Sequence, residues 1–112
     1  MRAFDLITSA TRLAPKVRGH GRVSAAINRA LLRCGVGPLV TTTLARGHRM
    51  TIDLRSGTEF YAAYTGRYDD ELIELALRVM RPGATIVDVG ANIGFYAVAC
   101  GRALAEAGGR VI

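Results

Sequence analysis

Residues 86–94 carry an acid and two glycines at a spacing that suits the binding of a small polar ligand. The apolar run at 85–87 predicts a buried strand, which ends in Asp88, and Gly90 and Gly94 then lead into an alanine-rich helix. In such a connection glycine lets the backbone approach a ligand closely, and the N–H groups of the first helical turn bind a carboxylate or phosphate. Asp88 could bind an ammonium group or hold the turn itself.

The spacing excludes two common nucleotide-binding patterns. Asn92 and Phe95 stand where the dinucleotide fingerprint has its second and third glycines. Gly90 and Gly94 are one residue too close for a Walker loop, and Phe95 stands where that loop needs lysine. What remains is acid-x-Gly-x-x-x-Gly after a strand, with Asn92 available to cap the helix. This pattern resembles motif I of the class I S-adenosylmethionine-dependent methyltransferases.

A longer stretch of the chain, residues 64–112, resembles the FkbM-type methyltransferases. The run Asp-Val-Gly-Ala-Asn-Ile-Gly at 88–94 is similar to the family's motif, as are the Pro-Gly at 82–83 and the Gly-Arg-Val at 109–111. The segment at 66–71 is similar to the family's Gly-x-Tyr-acid sequence before the preceding helix. Residues 1–63 share only a loose similarity.

The resemblance implies a fold, a cofactor and a set of site residues. The fold is α/β, the opening part of a doubly wound Rossmann-like methyltransferase domain, and the cofactor is S-adenosylmethionine. Gly94 would let the helix pack close, and Tyr68 and Glu71 would reach the methionine end of the cofactor, which is lined by Asp88, Val89, Gly90, Ala91 and Asn92. The family methylates oxygen acceptors on small molecules, sugars or polyketides. No catalytic residue is assigned.

The same resemblance leads us to expect an N-terminal fragment. In the family, the next strand ends in an acid that binds the ribose hydroxyls, and this chain ends at Ile112, just before that position. A truncated, non-catalytic remnant that does not bind the cofactor is therefore one alternative function.

The charge of the chain is concentrated at its N-terminal end. The net charge is +6, and residues 1–49 contain nine Arg or Lys against one acid. This segment could bind anionic lipid or nucleic acid, so a nucleic-acid methyltransferase is a second alternative. The simpler interpretation is a set of solvated helix faces. Only Phe4 is aromatic before Phe60, so there is little to stack on bases, and we expect no nucleic-acid partner.

The hydrophobic pattern predicts three segments: a basic helical segment at 1–38, an antiparallel strand or hairpin element at 39–64, and the start of the cofactor-binding domain at 65–112. The helices are expected at 3–14, 24–34, 69–80 and from 92 or 93 to 106, with a loop at 19–21. Strands are expected at 39–44, 49–54, 59–64 and 84–89, and from residue 110 in parallel with the strand at 84–89. Asp69 or Asp70 is expected to cap the third helix.

The remaining composition favours a cytoplasmic protein without a metal. Cys34 and Cys100 form neither a disulfide framework nor a metal-ligand spacing, and Cys100 is expected to be a buried apolar residue. No apolar run reaches 18 residues, so no transmembrane helix is expected. Phe95, Tyr96 and Val98 are expected to contact the core. Besides the methyl acceptor, the sequence identifies no partner and no oligomeric state.

Overall fold

A computed structural model describes residues 3–15 and 18–112 of the chain. The chain divides into two compact units, unit 1 (Met1–Arg67) and unit 2 (Tyr68–Ile112). Arg2 and Lys16, which belong to the predicted basic segment, lie outside the described residues. The elements are α1 (Ala3–Leu13), α2 (His20–Arg33), β1 (Leu39–Thr43), β2 (Arg49–Asp53), α3 (Gly57–Thr65), α4 (Asp70–Val79), β3 (Thr85–Ile86), α5 (Phe95–Glu106) and β4 (Arg110–Val111). The predicted α/β class is confirmed.

The described part of unit 1 consists of a two-stranded hairpin and three helices. β1 and β2 pair in antiparallel register, with Thr41 opposite Thr51, and α3 packs against β2. α1 and α2 both pack against α3. α2 begins at His20, four residues earlier than expected. The loop predicted at 19–21 is therefore wrong except at Gly19, which precedes the helix with a φ of 101°.

The strand predicted at 59–64 is also wrong, because these residues belong to α3. Ser56 stands at the N-cap position and Glu59 three residues later, the spacing of a capping box, although the Ser56 side chain makes no cap hydrogen bond. Glu59 is buried, and its Oε2 accepts a hydrogen bond from the backbone N–H of Asp53 at 2.8 Å. The predicted antiparallel element at 39–64 is thus limited to the β1–β2 hairpin.

Arg12 connects α1 to two other elements of unit 1. Its Nη1 donates to the Thr43 carbonyl at 2.9 Å, and its Nη2 donates to Thr42 Oγ1 at 2.9 Å. Nε and Nη2 also donate to the Ala63 carbonyl, near the C-terminal end of α3, at 3.1 and 2.6 Å. Burial lowers the pKa of Arg12 from its ordinary value. The planar guanidinium satisfies all of these acceptors at once, which an ammonium group cannot do.

We therefore expect Arg12→Lys to destabilise unit 1 by about 2 kcal/mol, since hydrogen bonds from a charged donor contribute roughly 1.5–3 kcal/mol. Urea unfolding followed by circular dichroism measures the change. Arg33→Lys is the matched control, because the Arg33 side chain is exposed and makes no hydrogen bond to the described residues. Equal stability of the two variants would contradict this role for Arg12.

Unit 2 is built from a short parallel strand pair and two helices. β3 pairs with β4 in parallel, as predicted, with Thr85 opposite Arg110. The ladder extends beyond the assigned strands: the Arg110 N–H donates to the Ala84 carbonyl at 3.0 Å, and the Asp88 N–H donates to the Ile112 carbonyl at 2.8 Å. β3 itself is shorter than the predicted strand at 84–89. α4 agrees with its prediction to within a residue at each end, whereas α5 begins at Phe95, two or three residues later than expected.

The core of unit 2 lies between α4, α5 and one side of the strand pair. Ile73, Ala99, Cys100 and Leu104 are buried there, with Ile86 and Val111 packed against them. The expectation that Cys100 is buried is confirmed. Two other predictions are wrong. Val87 was expected in a buried strand but is exposed, and Val98 was expected to contact the core but is 39% exposed. The doubly wound arrangement of the expected domain is not observed within unit 2, which has a single pair of strands.

Gly109 sets how closely β4 approaches β3. A Cβ at this position would lie 2.5 Å from the Ala84 carbonyl oxygen and 2.6 Å from Leu104 Cδ2. The Gly109 N–H also donates to the Leu104 carbonyl at 2.7 Å, which ends α5 at this point. A side chain here would push the strands apart.

We expect Gly109→Ala to destabilise unit 2 by roughly 1–3 kcal/mol, the range of overpacking in a closely packed site. Gly101→Ala is the control, because its Cβ would meet Val111 at an ordinary 3.9 Å and alanine favours a helix interior. The rate of amide hydrogen exchange within α5 measures the stability of both variants. Faster exchange in Gly109→Ala with unchanged or slower exchange in Gly101→Ala is the expected result; the reverse order would contradict it.

Candidate functional site

The glycine turn between β3 and α5 is the centre of the candidate site. Gly90, Asn92 and Gly94 all have positive φ, at 76°, 53° and 84°. Left-handed residues at every second position turn the chain from the strand into the helix. A Cβ on Gly90 would meet nothing within 4 Å, and one on Gly94 would meet Ala97 Cβ at an ordinary 3.8 Å. The two glycines are therefore required by their backbone angles, not by lack of room.

The carboxylate of Asp88 reaches from the end of the strand to the start of the helix. Its Oδ2 accepts a hydrogen bond from the Ala97 N–H at 3.1 Å, and the side chain is half-buried. Asp88 thereby supplies a negative charge at the N-terminal end of α5, where the helix dipole favours one. Its Oδ1 accepts no hydrogen bond from the described residues, so it remains available to a ligand.

The prediction that Asn92 caps this helix is wrong. The N-cap residue is Gly94, which makes no side-chain cap, and Asn92 instead is an exposed left-handed residue of the turn. The Gly94 N–H donates to the Ala91 carbonyl at 2.7 Å, which closes the turn. Phe95 and Tyr96 thus keep backbone N–H groups without a hydrogen-bond partner among the described residues.

Aromatic rings fix the segment before α4 against the start of α5. The rings of Tyr68 and Phe95 stack, with centroids 3.9 Å apart and an interplanar angle of 11°. The Tyr96 ring meets Tyr68 edge-on at 6.1 Å and 85°. Tyr68 therefore lies beside the first turn of α5, next to the glycine turn.

Asp69 is the N-cap residue of α4, as predicted, but its carboxylate joins this cluster instead of bonding to the helix. The Tyr96 hydroxyl donates to Asp69 Oδ2 at 2.8 Å, and Asp69, with φ of 42°, makes no side-chain cap to the helix that follows. Partial burial and the hydrogen bond to Asp69 raise the pKa of Tyr96 to about 12, with smaller contributions from the charges of Asp69, Tyr68 and Asp88. The carboxylates of Asp69 and Asp88 and the rings of Tyr68 and Tyr96 thus all lie at the start of α5.

The structure brings together most of the residues that the sequence singles out. Asp88, Gly90, Ala91, Asn92 and Gly94 form one turn, and Tyr68 lies against the helix that follows it. Val89 is part of the same turn, but its side chain is 90% exposed. Glu71 lies apart: it is exposed on α4 and lines a shallow cavity with Glu74, Leu75 and Arg78. It makes no hydrogen bond to the described residues of the turn.

Sequence reasoning missed the part played by Asp69, Phe95 and Tyr96 in this cluster. Phe95 and Tyr96 were expected to contact the core, and Phe95 is indeed buried. The sequence does show that Phe95 and Tyr96 are the two residues after Gly94. Their partners lie 27 residues or so earlier in the chain, and only the fold brings them near.

The described part of the chain contains no group of three or more His, Cys, Asp or Glu placed to bind a metal ion. Nor does any described helix have the length and apolar character needed to cross a membrane. Comparison of the chain with known protein families, with curated proteins and with solved structures finds no match.

We expect Asp69→Asn to lower the pKa of Tyr96 from about 12 toward the ordinary tyrosine value of about 10, because it removes the charged acceptor. The folded-state pKa is raised, so the stabilisation is complete below about pH 10 and is lost as the pH rises toward 12. Phenolate absorbance during an alkaline titration measures the shift, with Tyr96→Phe to identify the signal. Glu71→Gln removes an exposed negative charge of α4 that is not bonded to Tyr96 and should leave the titration unchanged; an equal shift would contradict the assignment.

Proposed function

We propose that the glycine turn of unit 2 binds S-adenosylmethionine and that the chain belongs to an FkbM-type methyltransferase acting on an oxygen acceptor. The observation that carries the proposal is the position of Asp88. Its carboxylate accepts a hydrogen bond from the Ala97 N–H in the first turn of α5, which follows the left-handed glycine turn directly. The resemblance of residues 64–112 to the family supports the same function.

The charges around the turn match the methionine end of the cofactor. That end is a zwitterion, with an α-ammonium group and an α-carboxylate a few ångströms apart. The Oδ1 of Asp88 is suited to the ammonium group, and the N–H groups of Phe95 and Tyr96 are suited to the carboxylate. A positively charged sulfonium would also be favoured by the carboxylate of Asp69 and the nearby phenol rings.

The residues of this chain contribute by binding and orientation. The cofactor, when bound, supplies an electrophilic methyl group on a sulfonium. Asp88 and the first turn of α5 fix one end of it, and rigid placement of reactants is the main means by which a displacement of this kind is accelerated. Tyr96 holds Asp69 in place through the hydrogen bond from its hydroxyl. We assign no general base to the described residues.

A purely structural role for Asp88 is the competing explanation, because its hydrogen bond to the Ala97 N–H also stabilises the start of α5. Asp88→Asn separates the two roles. The amide oxygen can still accept the N–H hydrogen bond, whereas the negative charge is gone.

We expect isothermal titration of the chain with S-adenosylmethionine to give saturable heat, and Asp88→Asn to weaken binding by roughly 30-fold, equivalent to about 2 kcal/mol for a charge-assisted hydrogen bond. Glu106→Gln is the control, since it removes one negative charge from an exposed ion pair at the other end of α5. No saturable heat with the unmodified chain, or equal weakening by the control, would contradict the proposal.

A further inference from the structure

A row of three arginines lies along the exposed side of α2. Arg22, Arg29 and Arg33 are seven and four residues apart, which at 100° per residue places them within about 40° of one another around the helix. Along the axis they span roughly 16 Å. All three are exposed, and α2 contains no acidic residue. We call this row the basic face.

Buried polar contacts on the opposite side of α2 fix the direction of the basic face. Ser24 and Asn28 are buried there. Asn28 Nδ2 donates to the Leu54 carbonyl at 2.7 Å, and the Tyr64 hydroxyl lies 3.5 Å from Asn28 Oδ1. Rotating the helix would bury arginine and break these contacts, so the basic face must point to solvent.

No hydrogen bond or ion pair within the described residues neutralises the basic face. Arg29 and Arg33 are four residues apart, a spacing at which like charges destabilise a helix. Three exposed arginines elsewhere in the described chain do form ion pairs: Arg55 with Asp53, Arg78 with Glu74 and Arg102 with Glu106. The basic face is therefore complementary in charge to an external anionic surface.

Exposed apolar side chains accompany these arginines. Val23, about 100° around α2 from Arg22, is 60% exposed, and Leu13, at the end of α1, is 87% exposed. Leu6 is exposed one helical repeat before Leu13. α1 and α2 both pack against α3, and His20 Nε2 lies 3.1 Å from the Thr11 carbonyl oxygen, which joins the two helices.

This combination favours a lipid surface over a nucleic acid. Leucine and valine side chains gain from contact with the boundary between headgroups and acyl chains, but gain nothing from a phosphate backbone. The single aromatic residue of α1 and α2, Phe4, is buried, so these helices have no exposed ring to stack on a base.

We propose that the surface formed by α1 and α2 binds a membrane surface rich in anionic phospholipid. The basic face contacts the headgroup phosphates and carboxylates, and Leu13 and Val23 reach the headgroup–acyl boundary. The binding is peripheral and is independent of the proposed cofactor site in unit 2.

Vesicle co-sedimentation with the full chain tests the proposal. We expect binding to vesicles that contain phosphatidylserine and little binding to pure phosphatidylcholine. Each basic residue near such a surface contributes about fivefold, so the combined substitution of the basic face should weaken binding by roughly 100-fold. It consists of Arg22→Gln, Arg29→Gln and Arg33→Gln. Raising the salt concentration to about 1 M, where the Debye length is about 3 Å, should weaken binding of the unmodified chain in the same direction.

A charge-matched control distinguishes a specific surface from net charge. It removes the same three positive charges at exposed positions, namely Arg55→Gln, Arg78→Gln and Arg102→Gln. Equal weakening by the control, or no binding to phosphatidylserine vesicles, would overturn the proposal. Leu13→Ser, which removes an exposed side chain, should weaken vesicle binding without changing the circular dichroism spectrum. Binding of a duplex RNA that depends on the basic face, without vesicle binding, would also overturn it.

Discussion

The left-handed backbone between β3 and α5 is the constraint on which the geometry of unit 2 depends. Gly90, Asn92 and Gly94 place three positive φ angles within five residues. Glycine adopts this region without steric cost, and asparagine is among the few other residues that tolerate it. Because of this turn, α5 begins beside the end of β3, and the Asp88 carboxylate can reach the Ala97 N–H. The chain then runs back through α5 to place β4 parallel to β3.

This dependence explains which features of unit 2 could be predicted. The glycine spacing, the apolar run before Asp88 and the Pro-Gly at 82–83 are local signals, and they indicated the strand, turn and helix in the right order. Asn92 was predicted as a cap because asparagine is common at the N-terminus of a helix. Asparagine is also common in left-handed turns. The sequence alone could not decide between these two roles, and the turn geometry assigned it to the second. Asp69 presents the same ambiguity, since its carboxylate bonds to Tyr96 and not to the N-terminus of α4.

Unit 1 was less predictable because its buried polar groups find partners far along the chain. Arg12 bonds to the Ala63 carbonyl, and Asn28 bonds to the Leu54 carbonyl. Such contacts leave no periodic signal. Residues 59–64 include aromatic and small apolar residues that suit a strand as well as a helix, and they follow a strand with which they could form a hairpin. The Ser56 and Glu59 spacing was the local signal for a helix, but Glu59 bonds to the Asp53 N–H and so depends on the hairpin as well.

The same geometry that stabilises the turn would also preorganise it for the proposed ligand. A carboxylate has two oxygens, and the bond from the Ala97 N–H to Oδ2 of Asp88 fixes the direction of Oδ1. The ring stack of Tyr68 on Phe95 holds the preceding segment against α5, and the Tyr96 hydroxyl orients Asp69. The groups that would contact a bound zwitterion are thus ordered by contacts within the protein. Little conformational entropy then remains to be lost on binding, which is the physical advantage of a preorganised site. Structural and ligand-binding roles for Asp88 are therefore compatible, since the first role positions the atom that the second requires.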